Sequence, residues 1–294
     1  MSARSARRSV LLSRDTLIGA LVVALAMVIC VGLGVWQYGR FEDRRDIAQT
    51  VEANYQADPV ALESVLPAPG SPLTGAEEWT PVQLHGSYCT DPDCILYVRN
   101  RTLGGTVGFW QLAPFQTDDG ATLLVVRGWV DSDAQESEPA DPPAVPEGEL
   151  TVTARLRPAE AVITGRENPE GQVHSVSPEQ ISPQLPELSG PMTTGAYGEL
   201  AAEDPESPRP QALPEPDTSL GPHLSYAFQW WLFALFFPGA LIYRTRKTMQ
   251  EEIEDQHDGS TGGKGTPRSR PRARTRRRSR DEEDEDALID RQHP

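Results

Sequence analysis

Two cysteines form the pair of side chains in this sequence best placed for covalent chemistry. Cys89 and Cys94 flank Thr-Asp-Pro-Asp, and Pro92 between two aspartates favours a turn that would bring the thiols within bonding range. In an oxidising compartment such a pair usually forms a structural disulfide. Two other roles stay open, because soft thiolates also bind copper and because some cysteine pairs are redox-active, although these normally have the closer C-x-x-C spacing.

A second group of candidate side chains lies at the ends of two long uncharged stretches, 16–39 and 218–243. About 20 apolar residues suffice to cross a bilayer core of roughly 30 Å. We predict a transmembrane helix for each stretch, because such length without charge is rare in soluble core helices and no A-x-A cleavage site ends the first one. Residues 40–51 are expected to continue the first helix. The side chains at the ends are Trp36, Arg40, His223, Tyr226 and Trp230.

Basic residues on the two flanks predict the orientation of these helices. Under the positive-inside rule, the flanks that carry most arginine and lysine face the cytoplasm. These flanking residues are Arg4, Arg7, Arg8, Arg14, Arg244, Arg246 and Lys247. Arg40, Arg44 and Arg45 oppose this orientation, but their acidic neighbours weaken the effect. We predict a multi-pass protein of the bacterial cell membrane with both termini (1–15 and 244–294) in the cytoplasm, since the leader is too short for a mitochondrial transit peptide.

The segment 40–217 has the pattern of an extracytoplasmic β-rich domain. Short alternating runs such as 82–86 and 150–156, separated by turn residues, predict an antiparallel sheet or barrel. The sequence Asp118-Asp119-Gly120 predicts a hairpin turn. Acidic, proline-rich sequence at 131–149 predicts an exposed loop, and similar sequence at 199–217 predicts a tether to the second helix. The predicted fold class is a membrane protein in which two transmembrane α-helices flank a mainly antiparallel β (α+β) extracytoplasmic domain.

Charge excludes one class of partner and predicts a disordered end. The 294 residues carry a formal net charge of -16, so the bulk of the chain will not bind nucleic acid. The predicted cytoplasmic tail at 244–294 has almost no apolar content beyond its first residues, and a basic block at 268–280 precedes an acidic block at 281–286. This composition predicts disorder. The basic block either binds anionic lipid or stays solvated.

Several short motifs resemble, in order along the chain, those of the surfeit-locus family of cytochrome c oxidase assembly factors. The first apolar stretch ends in L-G-V-W-Q-Y-G-R at 33–40, and the second contains H-L-S-Y-A-F-Q-W at 223–230. Between them lie V-Q-L-H-G-S-Y at 82–88, V-R-N-R at 98–101, G-F-W-Q-L-A-P-F at 108–115, V-V-R-G-W-V at 125–130 and L-R-P at 156–158. Each motif is short, but their order and the two-helix layout make the combination specific. Residues 165–217 and the tail depart from the resemblance.

The resemblance implies a protein that is not an enzyme and that assists the biogenesis of haem–copper cytochrome c oxidase, handling haem a transiently on its way into the catalytic subunit. On this basis His223 is the expected ligand of the haem iron. Arg40 is the expected partner of a propionate, and Trp36, Tyr226 and Trp230 are expected to pack on the macrocycle. The alternative is that these side chains only anchor the helices at the membrane interface.

Three other functions stay open at this point. The chain is alternatively a permanent accessory subunit of a respiratory oxidase supercomplex, which would remain in the mature complex. A thiol or copper enzyme would depend on Cys89 and Cys94, and an envelope sensor would depend on the charged tail. The sequence shows no serine–histidine–aspartate arrangement, phosphate-binding loop or zinc motif, so hydrolytic and nucleotide chemistry are not expected.

Overall fold

The structure is a computed structural model that describes residues 8, 10–133, 138–166 and 168–261. The chain divides into two compact units. One comprises Met1–Ile29 with Phe233–Pro294, and the other comprises Cys30–Leu232. Every described strand belongs to the second unit.

Two long helices, α1 (Arg14–Asn54) and α4 (His223–Thr261), contain the first uncharged stretch and most of the second. Both are long and apolar enough to cross a membrane, judged by length and composition. Large apolar side chains point outward on both helices, including Leu21 and Leu235, each at 72% relative exposure. A core helix of a soluble protein would bury such side chains, and water is a poor solvent for the surface they form. Two single-turn helices, α2 (Leu62–Val65) and α3 (Pro178–Ile181), lie between them in the chain.

The unit that contains the first part of α1 and the second part of α4 has helices but no strand in its described residues. Gly19 on α1 faces Leu241 on α4, and a Cβ atom added to the glycine would lie 3.5 Å from the Leu241 Cδ1 atom. This is ordinary van der Waals contact. In a lipid bilayer no hydrophobic driving force holds helices together, and small residues such as glycine allow their backbones to pack closely.

Eight strands form one sheet in the second unit. They are β1 (Val60–Ala61), β2 (Pro81–Tyr88), β3 (Leu96–Leu103), β4 (Thr106–Thr117), β5 (Thr122–Asp131), β6 (Leu150–Pro158), β7 (Gln172–Val173) and β8 (Ala196–Asp204). The pairings of β1 with β2, β3 with β7 and β5 with β8 are parallel, and the remaining pairings are antiparallel. The sheet is therefore mixed, with antiparallel pairing in the majority.

Five of the strands close into a barrel. The succession β2, β6, β8, β5 and β4 is hydrogen-bonded throughout, and β4 pairs back to β2 where Phe115 lies opposite Tyr88. β4 can close the ring because it is long: its first part pairs with β3 and its last part with β2. Closure removes the exposed strand edges that would otherwise invite pairing with another chain. The turn between β4 and β5 at Asp118–Gly120 confirms the predicted hairpin.

One face of each barrel strand fills the interior. Val82 and Leu84 on β2 face Val152 and Ala154 on β6, all nearly fully buried. Alternate residues of a strand point to opposite faces, which is why the alternating runs in the sequence predicted these strands. A second apolar cluster lies on the other face of the sheet, where Leu112, Leu124 and Val126 pack with Val176 and Ile181.

A buried ion pair ties loops to the barrel. The Arg127 side chain on β5 has no exposed surface, and its Nε atom lies 3.2 Å from Oε1 of Glu203 on β8. Its guanidinium also donates to Gln111 Oε1 at 2.9 Å and to the carbonyl oxygens of Ala144 and Pro208 at 3.2 Å. A buried charge is tolerated only when it is paired and hydrogen-bonded. These bonds fasten the chain at 144 and 208 to the barrel.

Arginine–aromatic contacts fix the end of α1 to the barrel. The guanidinium of Arg155 lies 3.8 Å from the ring centroid of Tyr55, and its Nε donates to the Tyr55 carbonyl at 2.9 Å. Arg157 stacks on Trp79 at 3.7 Å and lies 3.4 Å from Glu199. Burial raises the pKa of Glu199 to about 7, against the opposing effects of Arg157 and Arg155. Cation–π contacts of this kind stabilise partly buried joints.

The predicted tether at 199–217 is wrong in its first part. β8 (Ala196–Asp204) lies in the middle of the sheet, between β6 and β5. Its acidic residues Glu199 and Glu203 have arginine partners in the fold, which their composition alone does not reveal. The later part has no helix or strand, but Gln211 and Trp129 exchange two backbone hydrogen bonds of 2.7 and 3.0 Å.

The predicted loop at 131–149 is exposed or half-buried at every described residue. It is attached to the barrel at a few points. The carbonyl oxygens of Pro143 and Ala144 accept hydrogen bonds from Gln111 and Arg127, and Val145 packs against the barrel core. Buried polar side chains need partners, and this loop supplies two of them.

The helix limits differ from the prediction at two places. α1 includes the predicted continuation at 40–51 and ends at Asn54, but α4 begins at His223, so 218–222 is not helical. α4 continues to Thr261, so the predicted disorder is wrong for 244–261. Residues 262–294, with the basic block, lie outside the described residues.

Removing the Arg127 guanidinium should destabilise the barrel. Arg127→Leu leaves Glu203 buried without its cation, and such a loss costs about 3–5 kcal/mol of unfolding free energy. The double variant Arg127→Leu/Glu203→Leu should recover part of this loss, because no charge remains buried. Denaturant titration of the full chain in detergent measures both effects. Equal stability of the single variant and the unmodified chain would contradict the buried pair.

Candidate functional site

The middle of α1 lies close to the beginning of α4 within the Cys30–Leu232 unit. A Cβ atom added to Gly34 on α1 would overlap the indole of Trp231 on α4. The Trp231 ring also lies 6.1 Å from the ring of Tyr38 and 5.7 Å from that of Phe228. Only a residue without a side chain fits at position 34, and the resulting packing brings the next turn of α1 opposite the beginning of α4.

His223 meets α1 at this position. It is the first residue of α4, and its Nδ1 atom lies 3.0 Å from Oε1 of Gln37. Two residues earlier, Gly221 has a φ of +63°, in the left-handed region that favours glycine. A Cβ atom at Gly221 would lie 3.5 Å from the Nε2 atom of His223. The glycine therefore turns the chain into α4 and lies beside the Nε2 edge of the imidazole.

Helical spacing shows which side of α1 carries the other predicted site residues. Successive residues of a helix are about 100° apart. Trp36 and Arg40 therefore lie to one side of Gln37, and Tyr38 lies to the opposite side. Trp36 is 59% exposed. Arg40 forms an exposed ion pair of 3.7 Å with Asp43 on its own helix.

The same spacing places the predicted residues of α4. Tyr226, with Trp230 one turn further along the helix, lies to one side of His223, and Trp231 lies to the other side. Because Trp231 contacts Tyr38, the Trp231 side of α4 coincides with the Tyr38 side of α1. The opposite side of the helix pair thus carries Tyr226 and Trp230 on α4, together with the predicted tryptophan and arginine of α1. Tyr226 is 47% exposed.

The structure thus places the five predicted site residues around one junction. The hydrogen-bonding partner of His223 is Gln37, which sequence reasoning did not select. The signal that could have pointed to Gln37 is an amide side chain inside an uncharged stretch, within the W-Q pair of the first motif. Arg40 pairs with Asp43, and its contact with a propionate stays a prediction.

Cys89 and Cys94 form the predicted disulfide, with Cα atoms 6.0 Å apart. A single turn of 3₁₀ helix at Pro92–Cys94 brings them together, capped by the Asp91 side chain, which accepts from the Asp93 amide at 3.0 Å. Among the described residues, no group of three or more histidine, cysteine or acidic side chains could hold a metal ion. The thiols are therefore consumed by a structural bond in this structure.

Comparison with known proteins identifies the family. The model of the SURF1 family matches residues 24–235, more than half of the chain. The chain belongs to the SURF1 family. An uncharacterized SURF1-like protein of Mycobacterium tuberculosis is 32% identical over 229 residues, which cover 76% of this chain and 81% of that relative. Surfeit locus protein 1 of Homo sapiens is 32% identical over 126 residues, 37% of this chain and 39% of the human protein.

A third relative, a SURF1-like protein of Rickettsia felis, is 28% identical over 109 residues, 37% of this chain and 45% of that protein. The family assignment confirms the resemblance found in the motifs. The match also includes 165–217, which the motifs did not cover and which contains β7, α3 and β8. The SURF1 family is known generally for cytochrome oxidase assembly factors.

Enlarging Gly34 should disturb the helix junction. In Gly34→Leu the new side chain overlaps the Trp231 indole, and overpacking of this kind costs about 1–3 kcal/mol. The Trp231 indole N–H resonance should shift in an ¹⁵N–¹H spectrum. Gly32→Leu is the matched control, because nothing lies within 4 Å of a Cβ atom at position 32. An unchanged Trp231 resonance in Gly34→Leu would show that the helices do not meet there.

The disulfide should stabilise the folded protein. The cysteines are five positions apart, and the chain-entropy model gives about 2 kcal/mol for so short a loop. We expect Cys89→Ser/Cys94→Ser to lower the free energy of unfolding by about this amount, measured by denaturant titration. A cysteine pair with a catalytic role would instead leave stability unchanged while abolishing function.

Proposed function

We propose that this chain assists the assembly of haem–copper cytochrome c oxidase by holding haem a transiently through His223, before the haem passes to the catalytic subunit. The observation that carries the proposal is the position of His223, which begins α4 and lies within hydrogen-bonding distance of α1. The imidazole therefore belongs to one helix and contacts the other. Membership of the SURF1 family supports oxidase assembly as the setting.

The side chains around His223 fit a haem by their chemistry. Imidazole is a common axial ligand of haem iron, and His223 is only partly buried. Exposed Trp36 and Tyr226 offer flat apolar surface to the macrocycle, with Trp230 one turn from Tyr226. The exposed ion pair of Arg40 is worth little in water, so its guanidinium can exchange that partner for a propionate. The haem is cargo in this proposal.

The side of the helix pair that carries Trp36 and Tyr226 is exposed, which is consistent with transient binding. Sites that retain a small molecule bury most of its surface. Trp36 and Tyr226 are about half exposed, so a ligand held against them would keep one face uncovered. A partner protein could take the haem from that face without unfolding the site.

Membrane insertion accounts for the exposed apolar helices. We propose a multi-pass protein of the bacterial cell membrane, with the lipid bilayer covering the outward-pointing leucines of α1 and α4. Arg14 before the first apolar stretch, and Arg244, Arg246 and Lys247 after the second, favour cytoplasmic termini. The barrel and the His223 junction then lie on the outer side, and the disulfide lies in an oxidising compartment.

Complementation of a deletion strain tests this function. Deleting the gene should lower the haem a content of membranes, measured by reduced-minus-oxidised spectra, because less oxidase is assembled. The unmodified gene should restore it. His223→Ala should restore only a small fraction at equal protein level, whereas His85→Ala should restore it fully. His85 is the matched control because it is exposed on β2, with Thr151 as its hydrogen-bonding partner.

Two results would overturn the proposal: normal haem a content in the deletion strain, or full restoration by His223→Ala. The copy number separates an assembly factor from an accessory subunit. Purified mature oxidase should lack the chain, whereas one copy per oxidase would identify a permanent subunit.

A further inference from the structure

We infer that Gln37 is a positioning residue that fixes the tautomer of His223 and so directs the unprotonated Nε2 atom toward its ligand. The inference rests on the proposed function for the identity of that ligand, a metal-bearing macrocycle. It adds a residue of α1 to a site whose coordinating group comes from α4. Neither helix alone would then form the site.

The donor and acceptor inventory of the two side chains gives the argument. A neutral imidazole has one N–H donor and one bare nitrogen. The atom of Gln37 that faces His223 is the amide oxygen, 3.0 Å from Nδ1. Because the oxygen of this amide faces the ring and can only accept, we assign the ring hydrogen to Nδ1. Nε2 is then the bare nitrogen, and only a bare nitrogen can bind a metal.

Without Gln37, the other neutral tautomer of His223 would be the more populated one. The Nε2–H tautomer is the more populated form of a neutral histidine side chain in water, and in that form the outward nitrogen cannot bind a metal. Metal-binding histidines typically donate their other N–H to a carbonyl or carboxylate, and losing that partner costs about 10–100-fold in affinity. An amide inside an uncharged stretch also needs a hydrogen-bonding partner of its own, since an unpaired polar group there is costly.

The hydrogen bond between Gln37 and His223 depends on the packing of the two helices. Gln37 and His223 are 186 positions apart in the chain and meet only because Gly34 admits Trp231 one turn away on α1. The tautomer is thus fixed only while the beginning of α4 lies against the middle of α1. Separation of the helices would remove the acceptor and weaken metal binding, which offers a route to release.

Nuclear magnetic resonance of the full chain in lipid nanodiscs, with ¹⁵N-labelled histidine, tests the tautomer directly. At about pH 8, where free imidazoles are neutral, the two ring nitrogens of His223 are distinguished by chemical shift and assigned by the signals lost in His223→Ala. We expect Nδ1–H in the unmodified chain and in Gln37→Glu, whose carboxylate also accepts. Gln37→Leu should show mainly Nε2–H, and Gln49→Leu, at an exposed position of α1, should be unchanged.

Titration with haem a provides the second readout. Gln37→Leu should bind about 10–100-fold more weakly, whereas Gln37→Glu and Gln49→Leu should bind as tightly as the unmodified chain. An Nε2–H tautomer in the unmodified chain, or an unchanged tautomer and affinity in Gln37→Leu, would overturn the inference. If the unmodified chain has Nδ1–H but binds no haem a, the haem proposal fails while the positioning role stands. Rescue by Gln37→Glu distinguishes positioning from a loss of folding.

Discussion

A glycine at position 34 lets the indole of Trp231 lie against the backbone of α1, and the candidate site depends on this contact. With the two helices so close, Gln37 reaches the imidazole of His223 at 3.0 Å. The proposed haem site needs this arrangement, because it combines a nitrogen ligand from α4 with exposed aromatic side chains from both helices. The contact also orders the two sides of the helix pair, since Trp231 and Tyr38 occupy one side and leave Trp36 and Tyr226 on the other.

The barrel contributes rigidity around this junction. It grips the end of α1 through stacked arginines at Tyr55 and Trp79, and it holds the segment before α4 through Arg127 and the backbone pairing of Gln211. The part of α1 that follows Gln37 and the segment that precedes His223 are thereby both attached to the barrel. A closed barrel suits this task because its strands have no free edges and its core is continuous. Among the described residues, the barrel has no group of three or more histidine, cysteine or acidic side chains that could hold a metal ion.

Local patterns in the sequence predicted what local interactions determine. The alternation in 150–156, the turn at Asp118–Gly120 and the close spacing of the cysteines each specify structure within a few residues, and each was confirmed. β8 was missed because Glu203 looks solvated until its partner Arg127, 76 positions away, is known. Gln37 was missed for the same reason, since its partner lies 186 positions away. Long-range pairing of polar groups has no signature in a single sequence, although those pairs hold both the barrel and the site.

The visible spectrum of the intact chain tests the central claim most directly. The protein is purified in mild detergent from cells that make haem a, and the spectrum is compared with that of His223→Ala prepared in the same way. We predict bound haem a with a nitrogen-ligated spectrum in the unmodified chain, and its loss or a changed ligation in the variant. Absence of haem from the unmodified chain, or identical spectra for both proteins, would contradict the account.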